Sequence, residues 1–255
     1  MNNIIYNAQD VLLSAAGLTE SSLQAVLSKM LSYQLDYADM YFQETHSEAW
    51  GLEDGIVKSG EYHVARGVGV RALHGEQVGF AYADDIVFPA LMQAGATASA
   101  IARAGTSKTI ALKPQHSGHI LYAGHNPLRS WDEAAKVAYL HELNSYLHKL
   151  DQRIVQSNIS LLAEYDTILV VTSEGLLAAD IRPLVRLNIS VILEEHGQRE
   201  TGYVGCGGRY GYEYFADNSE TILKYARTAI DQAALNLQAV PAPAGTMPVV
   251  LGPGW

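Results

Sequence analysis

Cysteine is almost missing from this sequence: Cys206 is the single one in 255 residues. That removes any intrachain disulfide framework and any multi-cysteine zinc site. Long apolar runs are missing as well, since none approaches the ~20 residues that cross a bilayer. The opening Met1-Asn2-Asn3-Ile4-Ile5-Tyr6 carries no basic leader, so the expectation is a cytoplasmic chain without a membrane anchor. Basic residues are scarce, 17 Lys and Arg against 27 Asp and Glu for a net charge of −10, and they form no run. Phosphate backbones are held by clustered Lys and Arg, so nucleic-acid binding, including direct action on DNA topology, is disfavoured. Charged residues reach only 17% against 48% hydrophobic, which excludes a disordered polymer and provides for a real core.

What is present is a succession of helix and strand periods. Leu23, Val26, Leu27, Met30 and Leu31 recur at helical spacing between Thr19 and Gln34, with Thr19 as N-cap. Val64, Val68, Val70 and Ala72 alternate as one strand face, and Val78, Phe80 and Tyr82 as a second, with His74-Gly75-Glu76 turning between them. Asp54-Gly55 and Ser59-Gly60 read as further turns. Residues 86–104 read as an Ala-rich helix with Pro89 in its first turn and an end near Gly105. The Gly- and Pro-containing stretch 105–129 reads as a long connection. Ser130-Trp131-Asp132-Glu133 then forms a capping-box pattern ahead of a helix striped by Val137, Leu140, Leu143 or Asn144, Leu147 and Ile154.

The order repeats. Residues 167–171 form a short apolar strand, and Val185, Leu187, Ile189, Val191 and Leu193 alternate in the clearest strand of the chain. A turn at Glu195-His196-Gly197-Gln198 leads into Thr201-Gly202-Tyr203-Val204, and residues 219–238 carry a third helical stripe. Strands meet helices here without a sustained βαβ rhythm. The fold class is therefore α+β, antiparallel β meanders packed with amphipathic helices, with a possible internal duplication.

The chemistry-bearing residues are few. His141-Glu142 lacks a second histidine one turn on, and His148 lies about 10 Å away along a straight helix, too far to share one ion. Residues 202–211 hold the densest glycines but match neither a dinucleotide fingerprint nor a P-loop; they fit a bulged strand, or the close approach of a second extended backbone. Arg182, Arg186 and Arg209 gather around this segment and the preceding strand, where guanidinium groups suit carboxylates, although each taken singly suits an ordinary surface position. Tyr210 belongs to an aromatic set, with Tyr203, Tyr212, Tyr214 and Phe215, that reads as core or interface. Cys206 reads as a small packed residue. Arg182, Arg186, Arg209 and Tyr210 are the substrate or interface candidates; spacing yields no catalytic or metal-ligating set.

Several stretches nevertheless carry a resemblance in order along nearly the whole chain. They are residues 35–43 (Leu35 to Gln43), 52–58, 67–72 (Gly67 to Ala72), 79–84, 178–187 (Ala178 to Leu187), 207–215 (Gly207 to Phe215) and 242–252. Together they resemble the N-terminal half of the metalloprotease member of the TldD/PmbA family. The resemblance implies a cytoplasmic zinc peptidase that pairs with a PmbA/TldE-like subunit, or self-associates, and degrades or processes unfolded peptides. In the family a His-Glu-x-x-x-His helix and a later cysteine hold the zinc, which would polarise a scissile carbonyl. This sequence contains no His-Glu-x-x-x-His, and Cys206 does not match the family's ligand cysteine, so no ligand is carried onto it.

The expectation is a non-catalytic N-terminal portion serving assembly and substrate entry, its reading broken off at Trp255. Its parts would be a first α+β domain over 1–115, a second over 116–240, and over 241–255 the first strand of a metallopeptidase domain. The alternative is a free-standing module that pairs with a PmbA-like partner without hydrolysis.

Overall fold

The computed structural model describes residues 3–33, 35–102, 113–114 and 121–252. Helices α1 (Asn3–Leu12) and α2 (Glu20–Leu31) precede a meander of β1 (Tyr37–Glu53), β2 (Ile56–His74) and β3 (Gln77–Ala83) that ends in α3 (Phe88–Ile101). The short β4 (Lys113–Pro114) and α4 (Glu133–Leu150) lead to a second meander, β5 (Ile154–Thr172), β6 (Leu176–Glu195) and β7 (Gln198–Gly208). Helices α5 (Glu213–Asp217) and α6 (Ser219–Asn236) follow. The architecture is α+β as expected, and the order helix, three antiparallel strands, helix occurs twice.

One sheet joins both meanders, in the order β3-β2-β1-β5-β6-β4, with β7 also pairing β6. The junction is the antiparallel ladder of β1 with β5, running from Asp39 opposite Thr172 to Glu53 opposite Asn158. At its midpoint His46 faces Tyr165, which puts a local two-fold axis between the two meanders. Even-numbered residues of β1 and odd-numbered residues of β5 and β6 point to the helix-covered face. Toward one end of that face, α1, α2 and α3 bury Ala38, Met40, Phe42, Val70, Leu169 and Val171. Toward the other, α4, α5 and α6 bury Leu161, Val185, Leu187, Ile189, Val191 and Leu193.

Local chemistry accounts for the punctuation. Thr19 caps α2 in a reciprocal box with Ser22, and the whole expected α2 stripe is buried. The hairpin residues Asp54-Gly55 and His196-Gly197 all have positive φ, as the twist-matched two-residue turn requires. At the equivalent place in each meander a glycine faces the following helix. A Cβ at Gly79 would lie 1.9 Å from the Ala98 carbonyl oxygen of α3, and one at Gly202 would lie 1.7 Å from that of Ala229 in α6. Both helices therefore rest directly on backbone.

Several expectations are corrected. Ser59-Gly60 is no turn but lies within β2, where Gly60 backs onto the Trp50 ring. Val64 is half exposed, because the covering helices stop short of that part of β2. Val78, Phe80 and Tyr82 alternate as expected but point outward, since Gly79 and Ala81 take the helix side. Strand β5 begins at Ile154, well before residue 167; Asn158, Ser160 and Glu164 line its open face and mask its apolar alternation. The cap of α4 is Asp132, accepting from the Ala135 amide at 2.8 Å, while Ser130 accepts instead from the Tyr212 amide. Met247–Leu251 form no strand and are exposed, because no neighbouring strand completes a ladder there. Most of the expected connection 105–129, with Gly105, lies outside the described residues, as do Pro253, Gly254 and Trp255.

Helix seating on glycine predicts a steep cost for one methyl group. Gly202→Ala must push α6 from β7 and is expected to destabilise by about 1–3 kcal/mol. Urea unfolding measures this, and a change below about 0.5 kcal/mol, the surface-substitution range, would contradict the close approach.

Candidate functional site

The two helix groups leave a gap between them on the covered face, over the local two-fold axis. It is a cavity of about 640 Å³ floored by Glu44, His46 and Glu48 of β1, Tyr62 of β2, and Tyr165 and Thr167 of β5. Its wall is the stretch from Asn126 to Lys136 that begins α4. Glu44 and His46 stand two residues apart on one strand face, and the Glu44 Oε1 to His46 Nε2 distance is 2.7 Å. Tyr62, directly across from Glu48 in the ladder, brings its hydroxyl to 2.5 Å from His46 Nδ1.

Part of this lining is a buried ion pair. Lys136 Nζ is 2.6 Å from Glu48 Oε1, with the two side chains 3% and 9% exposed. The ammonium also donates to the Leu128 carbonyl at 3.1 Å and sits 5.3 Å from the Tyr212 ring centre and 5.8 Å from that of Trp50. Burial, and then the Glu48 charge, push the Tyr212 hydroxyl far above the usual tyrosine range. Nothing in the sequence marked Lys136 as interior, because a lysine on a helical stripe reads as solvated until its partner on another element is known.

The sequence-predicted candidates fall in two places, neither of them this cavity. Arg182 and Arg186 share the open face of β6. Arg182 Nε donates to Asp180 at 2.7 Å, which raises its pKa, and Tyr122 donates to the same carboxylate at 3.2 Å. Arg186 donates to Asn188 at 2.7 Å and to the Tyr203 hydroxyl at 3.1 Å. Arg209 stacks on the Tyr122 ring, 5.7 Å away, and donates to the Pro183 carbonyl. Tyr122 thus links Arg182 and Arg209. Arg209 and Tyr210 line a second cavity of about 630 Å³ walled by Gly207, Gly208 and Gly211, where Tyr210 stacks on Tyr214 at 4.5 Å. Arg186 stands apart from both.

Cys206 is half-buried on the helix side of β7, where burial pushes its thiol upward. His141 and His148 are exposed on α4. Among the described residues no three His, Cys, Asp or Glu side chains converge as metal ligands. No helix of the described residues is long and apolar enough to cross a membrane.

Comparison with known proteins places these elements in context. Residues 38–102 match the model of PmbA/TldA metallopeptidase domain 1, and residues 126–237 match that of the PmbA/TldA metallopeptidase central domain. The chain is 41% identical over 257 aligned positions to a metalloprotease TldD homolog of Haemophilus influenzae, covering 99% of this chain and 53% of that protein. A metalloprotease TldD homolog of Buchnera aphidicola is 39% identical, with 96% and 52% covered. The chain spans about half the length of these relatives. A Thermotoga maritima structure described as a candidate modulator of DNA gyrase superposes with a TM-score of 0.67 at 13% identity, over 89% of this chain and 50% of the other. TldE from Thermococcus kodakarensis superposes with 0.60 at 12% identity, over 86% and 47%.

The buried pair supplies a second prediction. Lys136→Met strands the Glu48 carboxylate and is expected to cost about 3–5 kcal/mol, whereas Lys136→Met with Glu48→Leu recovers most of it. Denaturant unfolding of both variants checks this; equal losses in the single and double variants would refute the coupling.

Proposed function

Because the chain belongs to the PmbA/TldD metallopeptidase family, we propose that it forms the N-terminal, non-catalytic portion of a TldD-like zinc metallopeptidase of the cytoplasm. In this reading it serves subunit assembly and substrate entry while the whole protein degrades or processes unfolded peptides. The observation that carries the reading is the lopsided match: 99% of this chain aligns with only 53% of a protein named as a metalloprotease. A metal is implied by that name, and zinc by the family. The described residues do not fit such a centre, since no three candidate ligands meet. In this reading the ligands belong to the other half of the relatives' length, and no chemical step is assigned to residues of this chain.

What this chain offers instead is shape and hydrogen-bonding surface. The open face presents Arg186, Asn188 and Tyr203 as one bonded group, and the glycine-walled cavity presents Arg209 and Tyr210. We assign these groups, with Arg182, to contacts with an extended peptide or with a PmbA/TldE-like subunit. Guanidinium groups and glycine-lined backbone suit peptide carboxylates and main chain. A division at about residue 115, with 241–255 leading onward, accords with the gap between the two family matches.

The test uses the chain with and without a TldE-like subunit, an unfolded casein peptide and added zinc. Co-elution with the subunit and no chelator-sensitive cleavage by the chain alone are expected. Chelator-sensitive cleavage by residues 1–255 alone would overturn the proposal.

A further inference from the structure

The cavity over the two-fold axis holds an arrangement that the peptidase reading does not use. Glu44, His46 and Tyr62 form a continuous chain of hydrogen bonds across two strands, with the tyrosine at its solvent end. A carboxylate oxygen accepts, so the His46 tautomer that satisfies both contacts carries its ring proton on Nε2, toward Glu44. Nδ1 then presents its lone pair, and the Tyr62 hydroxyl, 2.5 Å away, donates to it. This is the order of nucleophile, base and orienting acid that activates a hydroxyl in acyl transfer. The Glu44 side chain is 13% exposed and that of His46 30%, so the base and its orienter are held by the strand floor, while Tyr62 is 58% exposed and reachable. The cavity beside them has room for a small acyl group.

We propose that Tyr62 is an activated nucleophile and the site at which this chain accepts an acyl group from an activated donor. The Tyr62 Oη attacks the donor's carbonyl carbon, forming the aryl ester bond. The hydroxyl proton passes to His46 Nδ1, and the Glu44 carboxylate stabilises the imidazolium that results. As the carbonyl carbon releases its leaving group, His46 returns the proton to it. No oxidant, reductant or metal enters the balance. Glu48 is held by Lys136 and Asp132 by the α4 amide, so neither competes for His46.

N-acetylimidazole is the probe, with peptide mapping by mass spectrometry as the readout. Tyr82 and Tyr210 serve as internal standards, because at 73% and 52% exposure they bracket Tyr62 and have no histidine bonded to them among the described residues. Tyr62 is expected to acetylate at least about ten-fold faster than either, a threshold set below the roughly 10²–10⁴-fold that a positioned base contributes. His46→Asn is expected to bring it down to their rate, and Glu44→Gln to a rate between. Tyr212, fully buried, reports folding and stays unlabelled in an intact variant. Should His46→Asn expose Tyr212, Glu44→Gln decides by the same comparison. Equal rates for Tyr62, Tyr82 and Tyr210 in the unaltered chain, or a Tyr62 rate unchanged by substitution in a folded variant, would overturn the proposal.

Discussion

The antiparallel ladder between β1 and β5 is the constraint on which the rest depends. Each meander alone is a three-stranded sheet with one apolar face and an exposed edge, a unit of limited stability. Pairing their first strands over fifteen residues removes both inner edges at once and forces the two covered faces onto the same side of one sheet. The helices that follow each meander then cover opposite ends of that face. Their separation over His46 and Tyr165 is a direct consequence, because the axis of the ladder is the place where neither helix group reaches.

That geometry explains why polar chemistry collects in the interior-facing row. The even positions of β1 run from Phe42 through Glu44, His46 and Glu48 to Trp50 and Leu52 without changing face. Apolar residues occupy the two ends beneath helices, and charged ones occupy the middle beneath the gap. The Lys136–Glu48 pair closes the bottom of the gap. Its desolvation is offset by a short ion-pair contact and a carbonyl acceptor. The same row that builds two cores also builds the cleft between them.

The opposite sheet face has another character. It is a polar array in which Gln43 and Thr45 bond Asp166, Arg182 bonds Asp180, and Arg186 bonds Asn188 and Tyr203. These groups are mutually satisfied yet open to solvent, which suits the polypeptide contacts proposed for this face. The acyl-accepting site proposed for Tyr62 lies on the helix-covered face, so the two surfaces can act independently.

Much of this was legible along the chain because it depends on near neighbours. The α2 stripe, the buried alternation from Val185 to Leu193, and the positive-φ turns at Asp54-Gly55 and His196-Gly197 follow from period and local backbone chemistry alone. So did the repeated order of elements, and the family resemblance through its ordered motifs. The direction of β3 was not legible, because outward Val78, Phe80 and Tyr82 look like a core stripe until α3 is seen resting on Gly79. The interior place of Lys136 and the chain from Glu44 through His46 to Tyr62 were equally hidden. Their partners sit on other elements, and a side chain's role changes when burial removes water and a distant strand supplies its counter-charge or acceptor. Composition and periodicity therefore determined which elements form, whereas the pairing of β1 with β5 decided which residues meet. Register across a non-local ladder is set by the summed packing of both meanders and by no single stretch of either.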